Sequence, residues 1–270
     1  MGGAGMEIRC MLPTLTATRY ITPLREGGSL PAVVEANDGQ LYVMKFVGAG
    51  QGAKALIAEV IAGDIALTLG LKVPEMVLLE LDPVLARSEP NAEIRDLLRN
   101  SAGLNLGFRY LPSAFAFNPM LRPAPAPLLA STIVWFDAYV LNVDRTPRNV
   151  NMLLWEGDLW LIDHGAALYF HHTWDNADER SRSPFALVKQ HTLLPFASKV
   201  RALDAELCSR LTGDALAHSV ALVPDAWLLA EPRFANFAEQ RAAYLSFLTQ
   251  RRDASALFVE EAASAYAKQY

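Results

Sequence analysis

The stretch NVDRTPRNVNMLLWEGDLWLIDHG, residues 142–165, decides how the rest of the chain is read. An aspartate, Asp144, is followed five residues on by Asn149, and fourteen residues further by a second aspartate, Asp163. Between the last two lie short apolar runs, 151–155 and 159–163, on either side of Glu156-Gly157-Asp158. Such runs flanking a glycine-containing turn read as a compact β-hairpin. A hairpin of that length returns Asp163 to the side of Asn149, so that a carboxylate and an amide oxygen converge where one hard cation could sit. Phosphoryl transfer asks for little more: Asp144 to orient the incoming hydroxyl, with Asn149 and Asp163 to hold Mg2+ against the phosphates. The offset of five is also that of the catalytic loop H-R-D-x-x-x-x-N.

Upstream, the chain reads as strands. Thr16–Leu24 and Ala32–Ala36 are short extended candidates, and Asn37-Asp38-Gly39 is a hairpin signal because these residues tolerate positive φ. Leu41–Val47 follows, with Leu41, Val43, Lys45 and Val47 on one face and Tyr42, Met44 and Phe46 on the other. A lysine on a valine and leucine face needs a partner. The helical stretch Ala53–Leu69 supplies one in Glu59, whose helical neighbours Ala55, Leu56, Ala62, Gly63 and Ala66 are small and apolar. An ion pair between Lys45 and Glu59 would solve both problems and aim the lysine at phosphate. Val73–Leu81 and Leu104–Leu111 read as further strands, and Ser88–Asn100 as helix plus loop. Five prolines between Pro112 and Pro127 mark a change of composition, placing a boundary that divides the chain into 1–111 and 112–270. Leu128–Leu141 and most of the chain after Phe185 read as helix.

The order Lys45, Glu59, Asp144-Arg-x-x-x-Asn149 and Asp163-His164-Gly165 resembles the protein-kinase-like superfamily and, within it, the HipA-like kinases, from about Thr18 to about Leu229. The resemblance implies an α+β fold of two lobes, a small antiparallel-sheet lobe with one helix and a mainly helical large lobe, with ATP and Mg2+ bound in the cleft. By position it implies Asp144 as catalytic base, Asn149 and Asp163 as Mg2+ ligands, and Lys45 on the α- and β-phosphates beside Glu59. Val43 would roof the adenine, and the backbone of Phe108–Leu111, with Phe108, Tyr110 and Leu111, would read its edge. Gly28 and Ser29 would stand over the phosphates where other kinases carry a glycine-rich loop, with Ser29 a target for autophosphorylation. The acceptor implied is a serine or threonine of a protein. Toxin members of the family pair with an antitoxin, so an antitoxin-like partner is implied too.

Composition narrows the alternatives. Of 270 residues 52% are hydrophobic and 20% charged, with a net charge of −5, which excludes a duplex-wrapping basic protein or a polybasic membrane binder. DNA binding by this chain alone and membrane association are not expected. Two cysteines, Cys10 and Cys208, are too few for a disulfide framework and fit a reducing, cytoplasmic setting. A rival pattern, Gly48-x-Gly50-x-x-Ala53 after a strand, is that of dinucleotide-binding folds, but the acidic residue it expects at a strand end about 20 residues on does not fit, since the nearest strand-end candidates, Glu80 and Asp82, lie 27 and 29 residues beyond Ala53. A kinase-like module that holds nucleotide without catalysis, and kinases of lipids or small molecules, also share the Asp/Asn/Asp logic. Arg145 and Arg148, flanking the base, read as phosphate or substrate contacts. His171-His172 reads as a surface pair, Arg180–Ser183 as a solvated loop, and His164 as packing.

Overall fold

The computed structural model describes residues 11–24, 30–120, 122–228 and 233–269. The chain divides into two compact units, one of residues 1–49 with 76–109 and the other of 50–75 with 110–270.

The first unit is a closed five-stranded barrel made by β1 (Thr14–Pro23), β2 (Ala32–Ala36), β3 (Leu41–Lys45), β4 (Met76–Leu81) and β5 (Gly103–Arg109), in the order β1-β2-β3-β5-β4. All neighbours are antiparallel except β1 and β4, whose parallel pairing closes the barrel. The expected turn forms: Gly39 takes φ +75° and its N–H donates to Ala36 O at 2.9 Å. The period-two reading of β3 holds as well. Tyr42, Met44 and Phe46 are buried inside the barrel with Val77, Leu79 and Leu81, whereas Val43 and Lys45 occupy the outer face.

Gly107 is required by packing. A Cβ there would fall 2.5 Å from Leu79 Cδ1 and 2.9 Å from Val77 Cγ2. Gly107→Ala is therefore expected to destabilise the protein by about 1–3 kcal/mol through overpacking, read as a lower urea midpoint; an unchanged midpoint would show that the barrel interior yields.

Within the first unit α2 (Ala92–Asn100) packs on this barrel, while the longer α1 (Ala53–Thr68) belongs to the second unit. Leu98 of α2 and Ala86 of the preceding 3-10 turn join the barrel core. The contacts of α1 gather it into the second unit. Asp64 accepts from Ser219 Oγ at 2.6 Å, and Leu69 O accepts from Arg210 at 2.9 Å.

In the second unit, α3 (Pro127–Tyr139) is largely apolar apart from Ser131, Thr132 and Asp137 and is buried from Ile133 to Tyr139, as befits a central helix. The unit also holds a three-stranded sheet, β6 (Phe115–Ala116), β7 (Met152–Trp155) and β8 (Asp158–Leu161), and α4 (Ala177–Ser181), α5 (Val200–Arg210), α6 (Gly213–Ala221), α7 (Phe237–Asp253) and α8 (Ser255–Ala267). The expected hairpin is β7–β8. An antiparallel barrel strand before Gly48 and, among the described residues, no doubly wound sheet after it remove the dinucleotide-binding reading. Among the described residues no helix is long and apolar enough to cross a membrane.

Candidate active site

The loop between α3 and β7 is folded by its own polar groups. Asn142 Oδ1 accepts from the Asp144 N–H at 3.1 Å, and Thr146 and Asn149 exchange both backbone hydrogen bonds at 3.0 and 3.1 Å. That tight turn lifts Asn149 back to Asp144, so its Nδ2 donates to Asp144 Oδ2 at 2.6 Å. Asn151 adds a longer contact, 3.4 Å, to the same oxygen. The β7–β8 ladder then continues one step beyond the strands, with Ile162 N–H donating to Asn151 O at 3.1 Å, and Asp163 comes next.

Asp163 adopts φ +57°, the left-handed region that costs a non-glycine residue roughly 1 kcal/mol. The turn that follows shows what sustains it. Glu59, 1% exposed on α1, accepts the His164 N–H through Oε2 at 2.8 Å. A Cβ at Gly165 would lie 3.2 Å from Glu59 Oε1, so the small residue lets the carboxylate approach. His164 itself is buried and packs edge-on against Phe136, which fits the structural role read for it.

Burial raises the Asp144 carboxyl above its ordinary range, and the nearby Asp163 charge pushes it the same way, against the hydrogen bonds from Asn151 and Asn149. Two half-buried carboxylates that repel one another, with amide oxygens beside them, form an oxygen-rich donor set suited to a hard divalent cation, which would relieve the repulsion. Among the described residues no group of three or more His, Cys, Asp or Glu could hold a metal unaided. Two acids and an amide nonetheless match Mg2+, which keeps several waters and completes its shell with phosphate oxygens.

Of the residues read as nucleotide-facing, Val43, Lys45 and Phe108 lie in the barrel unit, and Glu59, Tyr110 and Leu111 in the second. Val43 and Phe108 are direct cross-strand partners on its outer face, and Lys45 Nζ stands 5.6 Å from the Phe108 ring centroid. The last of the chain's three passages between the two units falls between Arg109 and Tyr110, inside the stretch read as a hinge. Gly28 and Ser29 lie outside the described residues.

Three expectations are corrected. Arg145 does not face a substrate: it is 1% exposed, and its Nε donates to Asp137 Oδ2 at 2.6 Å. His171 is buried, with Nδ1 3.0 Å from Tyr244 Oη, and burial drives its basicity well below that of a free imidazole. The 180–183 segment is tied down, because buried Arg251 donates to the carbonyls of Ser181, at 3.2 Å, and Ser183. Arg148 is exposed.

Sequence reasoning missed Asp137. Its Oδ1 accepts from Asn142 Nδ2 at 2.8 Å, while Oδ2 takes both Arg145 and His191 Nε2, the latter at 2.8 Å. The signal was available: a lone carboxylate within an otherwise apolar helix must be paired.

A model of the HipA-like kinase family matches residues 18–255. No curated protein matches the chain. Among solved structures, the Helicobacter pylori proinflammatory kinase CtkA superposes with a TM-score of 0.54 at 14% identity, covering 96% of this chain and 99% of its own. The Golgi casein kinase does so with 0.54 at 13% identity, covering 92% and 74%. A second Golgi casein kinase structure, with Mn/ADP bound, gives 0.51 at 13% identity over the same shares. At these identities the likeness is one of fold, and it is a kinase fold.

Proposed function

This chain belongs to the HipA-like kinase family, and on that premise we propose that it transfers the γ-phosphoryl group of ATP, with Mg2+, to a serine or threonine hydroxyl of a protein. The observation that carries the reading is the convergence of Asp144, Asn149 and the left-handed Asp163 on one small region of the second unit. Asp144 is assigned the acceptor hydroxyl, whose proton it takes as the oxygen attacks phosphorus. Its raised proton affinity brings it nearer the working pH of a general base. Asn149 Oδ1 and the Asp163 carboxylate would hold the cation, which when bound neutralises the charge that develops on the phosphates. Glu59 keeps the Asp163 turn in its unusual conformation. Lys45 is assigned to the α- and β-phosphates, Val43 to the adenine face, and the backbone of Phe108, Tyr110 and Leu111 to its edge. The glycine pair with Gly28, and Ser29, are assigned to the phosphate-covering turn and to autophosphorylation.

A bound divalent metal and ADP in one structurally similar kinase support the choice of cofactors. A protein acceptor in the cytoplasm, and an antitoxin-like partner, follow from the family and belong to the same proposal.

The test uses the purified chain with γ-labelled ATP and Mg2+, beside Asp144→Ala and Asp163→Ala. Label on the chain or on an added protein, absent from both variants, is the expected result. Tight nucleotide binding without transfer to protein, lipid or small-molecule acceptors would instead establish a non-catalytic module. Transfer to lipid or a small molecule alone would move the acceptor class. Lys45→Ala is expected to raise the KM for ATP while leaving the fold intact, which a melting curve checks.

A further inference from the structure

His191 lies well beyond the catalytic loop in sequence, just after the 3-10 turn Ala186–Gln190, yet it reaches the core of that loop. The Leu193 N–H donates to its Nδ1 at 3.0 Å, which places the ring proton on Nε2, where it is given to Asp137 Oδ2 at 2.8 Å. Asp137 presents the same oxygen to Arg145 Nε at 2.6 Å. Arg145 Nη1 then donates to Asn151 O and, at 3.4 Å, to Ile162 O. Those two carbonyls belong to the residue two after Asn149 and the residue just before Asp163. The Thr192 N–H closes the circuit on Arg145 O at 3.1 Å. One buried cluster thus touches the backbone next to each of the three proposed catalytic positions.

Stability alone does not account for this arrangement. A buried ion pair seldom outperforms apolar packing of the same volume, and here Arg145 Nη2 and Thr192 Oγ1 are buried without a protein partner, which adds cost. What such a cluster does supply is a single geometry. We propose that His191 is a positioning residue: acting through Asp137, it orients Arg145 so that the Asp144 loop and the strand end bearing Asp163 keep a fixed mutual register. The inference rests on the phosphotransfer reading for its kinetic consequence, but not for its structural one.

Two variants separate the two halves of the imidazole. His191→Asn keeps an acceptor for the Leu193 N–H but is too short to reach Asp137. His191→Gln carries a donor at the reach of Nε2. In the transfer assay, His191→Asn should lower kcat roughly 10- to 100-fold with the KM for ATP little changed, since small misplacements of catalytic groups have effects of that order. His191→Gln should recover most of the loss. Amide hydrogen exchange should quicken in peptides spanning 142–151 and 162–165 in the asparagine variant only, with helix α8 unaffected. An unchanged kcat in His191→Asn, an equal loss in both variants, or KM rising in step with falling kcat would each overturn the proposal. If the wild-type chain transfers no phosphate to any acceptor, the phosphotransfer reading fails by itself. Exchange then decides: unaltered loop protection in His191→Asn overturns the positioning role, and selective loosening upholds it.

Discussion

Asp144→Asn is expected to lower kcat by about a thousandfold, within the range typical of general acid–base catalysis, with little change in nucleotide affinity. The substitution is nearly isosteric. The new amide oxygen can still accept from Asn149 Nδ2, which lies 2.6 Å from the native carboxylate, so the turn that presents Asn149 should persist. What is lost is the ability to take a proton from the acceptor hydroxyl. A neutral amide would also remove the repulsion that Asp163 exerts on the native carboxylate, so the folded protein should melt no lower than wild type. A variant that melts normally, binds nucleotide normally and transfers phosphate within threefold of wild type would strip Asp144 of its role as base.

The site was legible in sequence where its logic is local or periodic. The face of β3 that carries Val43 and Lys45 follows from a period of two. The return of Asp163 to the Asp144 loop follows from two short strands and a glycine turn, both counted along the chain. The roles of backbone amides were not legible. Glu59 was read only as the partner of a lysine, because the His164 N–H it binds has no side-chain signature. Arg145 was misread for a related reason. An arginine beside a proposed catalytic aspartate suggests phosphate, and only the pairing with Asp137, eight residues earlier on a helix, shows that it points into the core. His191 lies 54 residues from Asp137, a separation with no period and no motif to mark it. The grouping of α1 was hidden likewise, since the contacts of Asp64 and Leu69 are with residues more than 140 positions away.

Asp137→Ala should produce a large loss of stability. Burial would raise the Asp137 carboxyl, but the adjacent Arg145 charge and the hydrogen bond from His191 prevail and bring it down to about 2. A carboxyl lowered on folding stabilises the native state above its unfolded value, near 3.9, and that contribution is lost as pH falls from there through about 2. The pair should therefore contribute on the order of 2 kcal/mol at neutral pH that disappears in acid. Truncation does more harm than protonation, because it leaves the Arg145 guanidinium buried without a counter-charge and Asn142 and His191 without an acceptor. Removing one partner of a buried pair costs roughly 3–5 kcal/mol. For a chain of this size the melting temperature should fall by about 10 °C, and the difference from wild type should shrink as the pH is lowered toward about 2. The double variant Asp137→Leu with Arg145→Met should recover much of the loss, since two apolar side chains leave no charge unpaired. Its catalytic rate should stay low, because the tie from Arg145 to the carbonyls of Asn151 and Ile162 goes with the guanidinium. Recovered stability without recovered rate would show that the cluster serves geometry; full recovery of both would reduce Arg145 to a packing residue.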